Sequence, residues 1–419
     1  MDLPTSAKEQ PAPSNSRLAL LIAIFVLAVI VRVAWRLYKG DQDFWSNGSS
    51  LFYELATNLA NGRGLGLEGG DHAVRLPGYP LFLALLAGKS YLWIVVPQAL
   101  LGAGTVLCAY WIAKELFGSQ VALLAGILTA LYPYYVFNDT SLYESSLLTF
   151  LTALSVLLLL RARAAGTVMQ WTLAGLVLGA AVLTSEILLP FATLALLWIF
   201  SLSDGSLHRK FDRLVAVAAP LFLIIGLWAA RNYMTLGSPV MSSSFGRQLW
   251  DANNPKTFSH YPENNFDRTS EDALLSLTPE EREDLDGISD EVLRSNWFRD
   301  KALDFMTAHP AETCLAACRK IEAGFSWNVK PKQEPLIQIS YLLSYGAISI
   351  LGVAGMVLTR RRWKDLSLIY LLFVSFAAVT AVLWAQTRQR SYLDVYWIIL
   401  AAYVLHRSLG GRSPMRAAA

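Results

Sequence analysis

The stretch LALLIAIFVLAVIVRVAW, residues 18–35, decides the fold class, because it is a long apolar run with a single charged side chain, Arg32. At about 1.5 Å per residue, a helix of this length can cross a hydrocarbon core of about 30 Å. Basic residues follow the run, and no small-residue cleavage site does. We therefore expect a retained transmembrane anchor rather than a signal peptide that is removed.

The composition of the whole chain extends this interpretation. The 419 residues are 54% hydrophobic and only 16% charged, whereas soluble domains carry about 25% charged residues. The mean hydropathy is +0.39. These values exclude a disordered chain, a secreted disulfide scaffold and an ordinary cytosolic enzyme, and the net charge of +3 is too small to indicate a nucleic-acid partner. The predicted class is an all-α, polytopic integral membrane protein.

Nine further apolar segments are predicted to span the membrane, which gives about ten transmembrane helices in all. They cover residues 92–114, 119–137, 141–160, 171–186, 187–202, 214–231, 337–358, 366–385 and 391–406. The connections after the second, fourth, sixth, eighth and tenth spans carry clusters of Lys and Arg. The positive-inside rule places these connections in the cytoplasm, so both termini are predicted to be cytoplasmic and the alternate loops to lie outside.

The chain is predicted to divide into five parts along its length. These are a disordered lead (1–16), transmembrane helices one to seven with a long first loop (17–231, loop 39–91), an outer domain (232–336), transmembrane helices eight to ten (337–406) and a cytoplasmic tail (407–419). Within the first loop, residues 50–61 are predicted to form an interfacial helix. The apolar stretch 80–87 is too short to span the membrane and is expected to lie along its surface.

Acidic side chains collect in the predicted outer loops. Asp41 and Asp43 lie in the first loop, Asp139 lies between spans three and four, and Glu144 lies at the start of span four. Ionisable groups at membrane depth cost about 2.5–3.5 kcal/mol near a helix centre, so they usually line a cavity. Acids from two loops that face one compartment are therefore a candidate general-base site. The alternative is that Asp41 and Asp43 are solvated loop residues.

Basic side chains form a second candidate set. Arg231 ends the seventh span, and Arg388 and Arg390 lie between the ninth and tenth spans, where they depart from the inside-positive pattern. The same set includes Lys320, Lys330 and Lys332 towards the end of the outer domain. An outer-face arginine beside apolar helices can bind a phosphate through two parallel hydrogen bonds while a lipid tail lies along the bundle. The alternative is that these side chains extend to lipid headgroups.

The five histidines and three cysteines show no metal-ligand spacing, so no metal and no cofactor are predicted. Asp41 and Asp43 are two residues apart and are spaced to share a divalent cation, which leaves metal dependence open.

Eight short motifs occur in order along most of the chain. They are YELA (53–56), NLA (58–60), RLPGYP (75–80), ALYP (130–133), RNY (231–233), GSPV (237–240), NNP (253–255) and RQRSY (388–392). Together with Glu144 at the start of the fourth span, they resemble the bacterial glycosyltransferases of the GT-C superfamily. That superfamily includes the polyprenyl-phosphate-sugar-dependent enzymes related to protein O-mannosyltransferases and to the aminoarabinose transferase of lipid A.

The resemblance implies an inverting sugar transfer on the periplasmic face of a bacterial inner membrane. The donor would be a hexose or pentose on undecaprenyl or a similar polyprenyl phosphate. The acceptor would be lipid A, as in lipopolysaccharide modification, or a glycan, a teichoic-type polymer or a protein. A first-loop carboxylate would act as general base, and arginines would hold the departing phosphate. The implied catalytic residues are Asp43, then Asp41, and Glu144; the implied substrate-binding residues are Arg75, Tyr79, Asp139, Arg231, Arg388, Arg390 and Tyr392.

Two positions depart from the pattern of these relatives. Many of them have an acid four residues before the equivalent of Tyr53, where this chain has Ser49. The tripeptide Thr-Arg-Pro that often follows their fifth span is Thr184-Ser185-Glu186 here. Two other functions remain open, a transporter or flippase for a lipid-linked glycan and a glycan polymerase or ligase. The lack of an internal repeat and the single large outer domain argue against the transporter.

Overall fold

A computed structural model of the chain describes residues 15–41, 43–45, 50–88, 90–202, 206–260, 266–330, 332–383 and 386–411. Every regular element in these ranges is a helix, so the predicted all-α fold class is confirmed. Most of the predicted disordered lead (1–16) and of the predicted cytoplasmic tail (407–419) lies outside the described residues, as does Ser49.

Nineteen α-helices are numbered here in chain order within the described ranges. They are α1 (Asn15–Lys39), α2 (Ser50–Ala60), α3 (Gly78–Ala84), α4 (Tyr91–Phe117), α5 (Ser119–Leu131), α6 (Pro133–Asp139), α7 (Ser145–Ala165), α8 (Val168–Thr184), α9 (Leu189–Leu202), α10 (Leu207–Leu236), α11 (Phe245–Ala252), α12 (Phe266–Leu275), α13 (Pro279–Asp286), α14 (Glu291–Ala308), α15 (Pro310–Gly324), α16 (Pro335–Leu358), α17 (Trp363–Val382), α18 (Thr387–Arg390) and α19 (Asp394–Ser408).

Six of these helices are long and apolar enough to cross a membrane, namely α1, α4, α7, α10, α16 and α17. A seventh span is obtained if α5 and α6, which meet at an angle of 53°, are counted together. The bend lies at Pro133, which has no amide hydrogen to donate to the preceding turn. The apolar helices α8 and α9 are shorter. Each of the ten predicted spans lies mostly on helices within the described residues, and the count of ten membrane crossings stays a prediction.

Small residues allow the apolar helices to approach one another closely. A Cβ atom on Gly175 of α8 would lie 2.2 Å from the Val217 carbonyl oxygen of α10. A Cβ atom on Gly352 of α16 would lie equally close to the Trp397 ring of α19. Such contacts are typical of helix packing within membranes, where close van der Waals packing replaces the hydrophobic effect.

The segments predicted to lie on the same side of the membrane contact one another. At the end predicted to be cytoplasmic, Arg362 donates a hydrogen bond of 2.9 Å to the Leu116 carbonyl oxygen, next to α5. At the opposite end, the Glu291 carboxylate of the outer domain accepts hydrogen bonds from the backbone amides of His72 and Ala73 in the first loop, at 2.6 and 3.1 Å. The outer domain and the first loop are therefore one packed unit, as their shared predicted side requires.

A buried lysine joins the outer domain to the helix bundle. The Lys320 ammonium of α15 donates hydrogen bonds to the Asn253 side-chain oxygen and to the Val382 carbonyl oxygen, both at 3.0 Å. It also reaches the Ala252 carbonyl oxygen at 3.3 Å. Burial lowers the pKa of Lys320 to about 8. Because Asn253 follows α11 and Val382 ends α17, this one side chain connects three helix ends.

Candidate active site

A cavity of about 220 Å³ lies where the first loop, the turn between α6 and α7, the segment before α16 and helix α18 meet. Its walls carry acidic, basic and neutral polar side chains beside aromatic rings. The lining residues are Asp43, Phe44, Tyr134, Phe137, Asn138, Ser141, Leu142, Tyr143, Val329, Lys330, Gln333, Glu334, Ile337, Gln386 and Arg388. This set includes the first choice among the predicted bases, Asp43, and one of the predicted phosphate-binding arginines, Arg388.

Asp43 is held at the cavity by Arg36 of α1. The two side chains form an ion pair, and the Asp43 side chain keeps 43% of its surface exposed, whereas that of Arg36 is buried. Arg36 also donates hydrogen bonds to the Gly40 carbonyl oxygen at 2.7 Å and to the Thr140 carbonyl oxygen at 3.3 Å. One guanidinium therefore fixes both the start of the first loop and the turn after α6, which leaves the carboxylate facing the cavity.

The turn after α6 forms one wall of the cavity and is held from behind. Gln98 of α4 donates hydrogen bonds from its amide nitrogen to the carbonyl oxygens of Asp139 and Ser141, at 3.0 and 2.8 Å. The Tyr79 hydroxyl in turn donates to the Gln98 side-chain oxygen at 2.6 Å. Tyr79 is buried in this position, one layer behind the cavity wall.

Two neighbouring polar residues at the end of α6 have different surroundings. The Asp139 carboxylate pairs with Arg32 of α1 at 2.7 Å, and both side chains are buried. Asn138 lines the cavity and is only 1% exposed. Both amide atoms are enclosed within the cavity wall, beside the Tyr134 hydroxyl.

The opposite wall is basic. The Arg388 guanidinium carbon lies 3.7 Å from the centre of the Tyr143 ring, and Lys330 lines the same cavity. The Thr387 hydroxyl accepts a hydrogen bond of 3.1 Å from the Lys330 amide and donates one of 3.2 Å to the Lys330 carbonyl oxygen. It also contacts the Tyr134 hydroxyl at 3.0 Å. Thr387 therefore fixes the backbone of Lys330 relative to α18, which carries Arg388.

A group of half-buried charges lies near Arg388. Arg75, which precedes α3, is within electrostatic range of Glu144, Glu186 and Arg388. Burial lowers the pKa of the Arg75 guanidinium, and the two glutamates oppose that change. One carboxylate oxygen of Glu144 is buried without a hydrogen bond among the described residues. The structure thus brings Arg75 and Glu144, both predicted site residues, to the side of Arg388.

The other predicted site residues lie elsewhere. Asp41 is exposed and is not part of the cavity lining. Arg231 donates hydrogen bonds to the Leu65 and His72 carbonyl oxygens, at 2.6 and 2.8 Å, and so holds the first loop. Their roles in catalysis and substrate binding stay predictions.

Arg390 and Tyr392, two predicted substrate-binding residues of the RQRSY motif, are enclosed by helices. Arg390 is fully buried, donates a hydrogen bond of 2.7 Å to Asp394 and another of 2.9 Å to the Tyr341 hydroxyl. Tyr392 is buried as well, and its hydroxyl has no hydrogen bond within the described ranges. Arg388 alone of the two motif arginines lines the cavity, so a substrate contact by Arg390 or Tyr392 stays a prediction.

Three further residues lie at the site, namely Arg36, Asn138 and Lys330. Lys330 belongs to the basic set identified in the sequence, whereas Arg36 and Asn138 have no assigned role there. Arg36 carries a signal that can be read from the sequence. Arg32, Arg36 and Lys39 are spaced four and three residues apart on one face of α1, at its predicted outer end. Each of the three pairs with an acid: Arg32 with Asp139, Arg36 with Asp43, and Lys39 with Glu334 at 2.9 Å.

In the described part of the chain, no group of three or more His, Cys, Asp and Glu side chains is arranged to hold a metal.

Comparisons with known proteins add family information to this geometry. Residues 77–228 match the family model for dolichyl-phosphate-mannose-protein mannosyltransferases. The mannosyltransferase homologue YkcB of Bacillus subtilis (strain 168) is 28% identical over 147 residues, which are 35% of this chain and 20% of that protein.

Two solved structures of the Archaeoglobus fulgidus oligosaccharyltransferase share the fold. The apo form has a TM-score of 0.57 at 14% identity, and the matched region covers 94% of this chain and 51% of the oligosaccharyltransferase chain. The complex with an inhibitory peptide and a dolichol-phosphate has a TM-score of 0.53 at 14% identity, with coverages of 95% and 53%. This chain thus spans about half the length of these structures and a fifth of YkcB. The predicted resemblance to the GT-C glycosyltransferase superfamily is confirmed.

Proposed function

We propose that this protein transfers a sugar from a polyprenyl-phosphate donor to an acceptor hydroxyl in the cavity, on the outer face of a bacterial inner membrane. The observation that carries the proposal is that one cavity holds the Asp43 carboxylate together with Lys330 and the Arg388 guanidinium. Two comparisons support the donor class. The matching family is named for a dolichyl-phosphate sugar, and one structure of the same fold contains a dolichol-phosphate.

In the proposed reaction, Asp43 acts as general base. Its carboxylate takes the proton of the acceptor hydroxyl, whose oxygen attacks the anomeric carbon of the donor sugar. The bond between the anomeric carbon and the phosphate oxygen breaks, and the electron pair leaves with the lipid phosphate. Because the attack and departure occur on opposite faces in one displacement, the anomeric configuration inverts. A general base in such a position contributes a factor of about 10²–10⁴ in rate.

Arg388 and Lys330 stabilise the lipid phosphate in this scheme. A guanidinium presents a planar set of donors that matches phosphate oxygens, and its charge opposes the negative charge that develops as the bond breaks. The rings and charges around Arg388 orient it, since Tyr143 stacks on one side and Arg75 and Glu144 lie close by. Phosphate is a good leaving group, so the reaction needs no nucleotide.

The transferred sugar in this proposal is a hexose or pentose, and the acceptor is a lipid, a glycan or a protein. Mannose is the first sugar to test because the matching family model is that of a mannosyltransferase. Lipid A is one acceptor within this class, and its use would make the reaction a lipopolysaccharide modification.

The experiment that tests the proposal separates transfer from transport. The purified protein is reconstituted in vesicles with undecaprenyl-phosphate mannose carrying a radioactive sugar, and hydroxyl-bearing acceptors are supplied. We expect covalent mannosylated product and release of undecaprenyl phosphate, neither of which forms in protein-free vesicles. Movement of the intact glycolipid between leaflets without any product would instead identify a flippase. A product with several added sugars would identify a polymerase.

A further inference from the structure

The two cations of the basic cavity wall come from segments that are distant in the chain. Lys330 lies between α15 and α16, whereas Arg388 lies in α18, and both residues line the cavity. Two positive charges on one wall repel each other, so they do not hold each other in place. Their shared position is therefore set by the backbone segments that carry them.

Thr387 connects these two segments. Its amide donates a hydrogen bond of 3.3 Å to the Lys330 carbonyl oxygen, and its hydroxyl donates one of 3.2 Å to the same oxygen. The hydroxyl also accepts a hydrogen bond of 3.1 Å from the Lys330 amide. Thr387 is fully buried, so water does not compete for these bonds. Since Arg388 is the next residue, Thr387 joins the backbones of both cations.

The Tyr134 hydroxyl fixes the orientation of the Thr387 hydroxyl. Their oxygens are 3.0 Å apart, and Tyr134 is buried. The single proton of the Thr387 hydroxyl goes to the Lys330 carbonyl oxygen, so Tyr134 is the donor in this contact. Tyr134 belongs to α6, whose last residue Asp139 is paired with Arg32 of α1 at 2.7 Å. The connection between the two cations is thus attached to the helix bundle.

Helix α18 depends on such contacts for its position. It has only four residues, too few for a helix that is stable by itself. Thr387 is its first residue. Its last residue, Arg390, is also fully buried and donates hydrogen bonds to Asp394 at 2.7 Å and to the Tyr341 hydroxyl at 2.9 Å. Arg388 therefore lies between two buried residues that hold the ends of the helix.

We propose that Thr387 is a positioning residue of the phosphate site, which holds Lys330 and Arg388 at the spacing that lets both contact one lipid phosphate. This inference rests on the proposed function, because it concerns the phosphate end of the same donor. Thr387 is not part of the cavity lining and acts through the two cations. Two cations that are held in place bind a phosphate at a smaller entropic cost than two mobile side chains.

The first test measures binding without transfer, with undecaprenyl phosphate and undecaprenol as probes. The ratio of their affinities reports the contribution of the phosphate alone. Thr387→Val keeps nearly the same shape but leaves the Lys330 amide without its partner, and we expect the ratio to fall about tenfold. Thr387→Ser keeps the hydroxyl and should restore most of the ratio. A merely structural role would weaken the binding of both lipids by the same factor and leave the ratio unchanged.

The matched control removes a buried hydroxyl elsewhere in the bundle. Thr152 of α7 is fully buried and donates a hydrogen bond of 2.7 Å to the Leu148 carbonyl oxygen, and it does not line the cavity. We expect Thr152→Val to leave the ratio unchanged. If Thr387→Val does not fold, Thr387→Ala is compared with Thr387→Ser in its place, and the same ratios decide.

The second test is a double-mutant cycle with Lys330→Met, which removes the ammonium. In that background, Thr387→Val should lower the ratio by about threefold or less, because only the effect through Arg388 is left. A loss of the full tenfold in both backgrounds would show that Thr387 does not act through Lys330.

Three further results would overturn the inference. One is an unchanged ratio in folded Thr387→Val, and another is an equal fall of the ratio in Thr387→Ser. The third is a wild type that binds undecaprenol as tightly as undecaprenyl phosphate. Because these measurements need no turnover, failure of the proposed function is seen separately, as absence of sugar product from a protein whose phosphate binding depends on Thr387.

Discussion

Arg32 and Asp139 form a buried ion pair, with 2.7 Å between the Arg32 Nε and the Asp139 Oδ2, although 107 residues separate them in the chain. Arg32 also donates hydrogen bonds to the carbonyl oxygens of Ala28 and Ala130, at 3.0 and 3.2 Å. The pair joins α1 to the end of α6. It turns the Asp139 carboxylate away from the cavity, which the neighbouring Asn138 lines.

The first prediction concerns this pair. Asp139→Asn leaves the Arg32 charge buried without a counter-ion, and breaking a buried pair in this way typically costs about 3–5 kcal/mol. We therefore expect a clear fall in the Tm of the purified protein. The control is Glu68→Gln, because the Arg63–Glu68 pair is exposed, with 63% and 79% of the side chains accessible, and should contribute little. An unchanged Tm with lost donor binding would instead favour the predicted substrate-binding role of Asp139.

The second prediction concerns Arg388. Arg388→Gln removes the guanidinium from the cavity, and a hydrogen bond to a charged group is worth about 1.5–3 kcal/mol, so kcat/KM for the donor should fall by roughly 10- to 100-fold. Arg388→Lys should recover only part of this loss, because an ammonium lacks the planar fork. Arg299→Gln, at an exposed pair in the outer domain, is the matched control. Wild-type donor kinetics in Arg388→Gln would exclude a phosphate contact.

The third prediction concerns the pH dependence of stability. The Lys320 pKa is about 8 in the folded protein, whereas a lysine in an unfolded chain titrates near 10.4. Between these values the unfolded chain binds the proton and the folded protein does not. Lowering the pH from about 10.4 to 8 should therefore reduce stability, and below pH 8 this group should add no further change. Unfolding of the wild type and Lys320→Met is followed across this range, and parallel pH curves would contradict the assignment.

The membrane helices could be predicted from the sequence because hydropathy and length report directly on burial in lipid. Each predicted span is mostly helical within the described residues, and the short helices α2 and α3 occur where the first loop is amphipathic or apolar. The division of one predicted span into α5 and α6 follows from Pro133, which is visible in the sequence, whereas the bend of 53° is a property of the packing around it.

The site could be predicted only in part, because pairing and burial depend on tertiary contacts. Asp43 and Arg388 come from opposite ends of the chain, and their shared cavity follows from how the helices pack. Residue type also does not reveal which charges neutralise each other. Asp139 has the same chemistry as Asp43, yet it is enclosed with Arg32. Arg390 likewise has the same chemistry as Arg388, yet it is enclosed with Asp394.

The most direct measurement of the central claim is the initial rate of sugar transfer by Asp43→Asn and Asp41→Asn beside the wild type. The asparagine at position 43 keeps an oxygen for Arg36 to bind but cannot take the acceptor proton. The account predicts a loss of about 10²–10⁴-fold for Asp43→Asn in protein that remains folded, and a nearly unchanged rate for Asp41→Asn. Because the Asp43 side chain is 43% exposed, loss of its pairing with Arg36 should lower Tm less than Asp139→Asn does. Full turnover by Asp43→Asn would contradict the account.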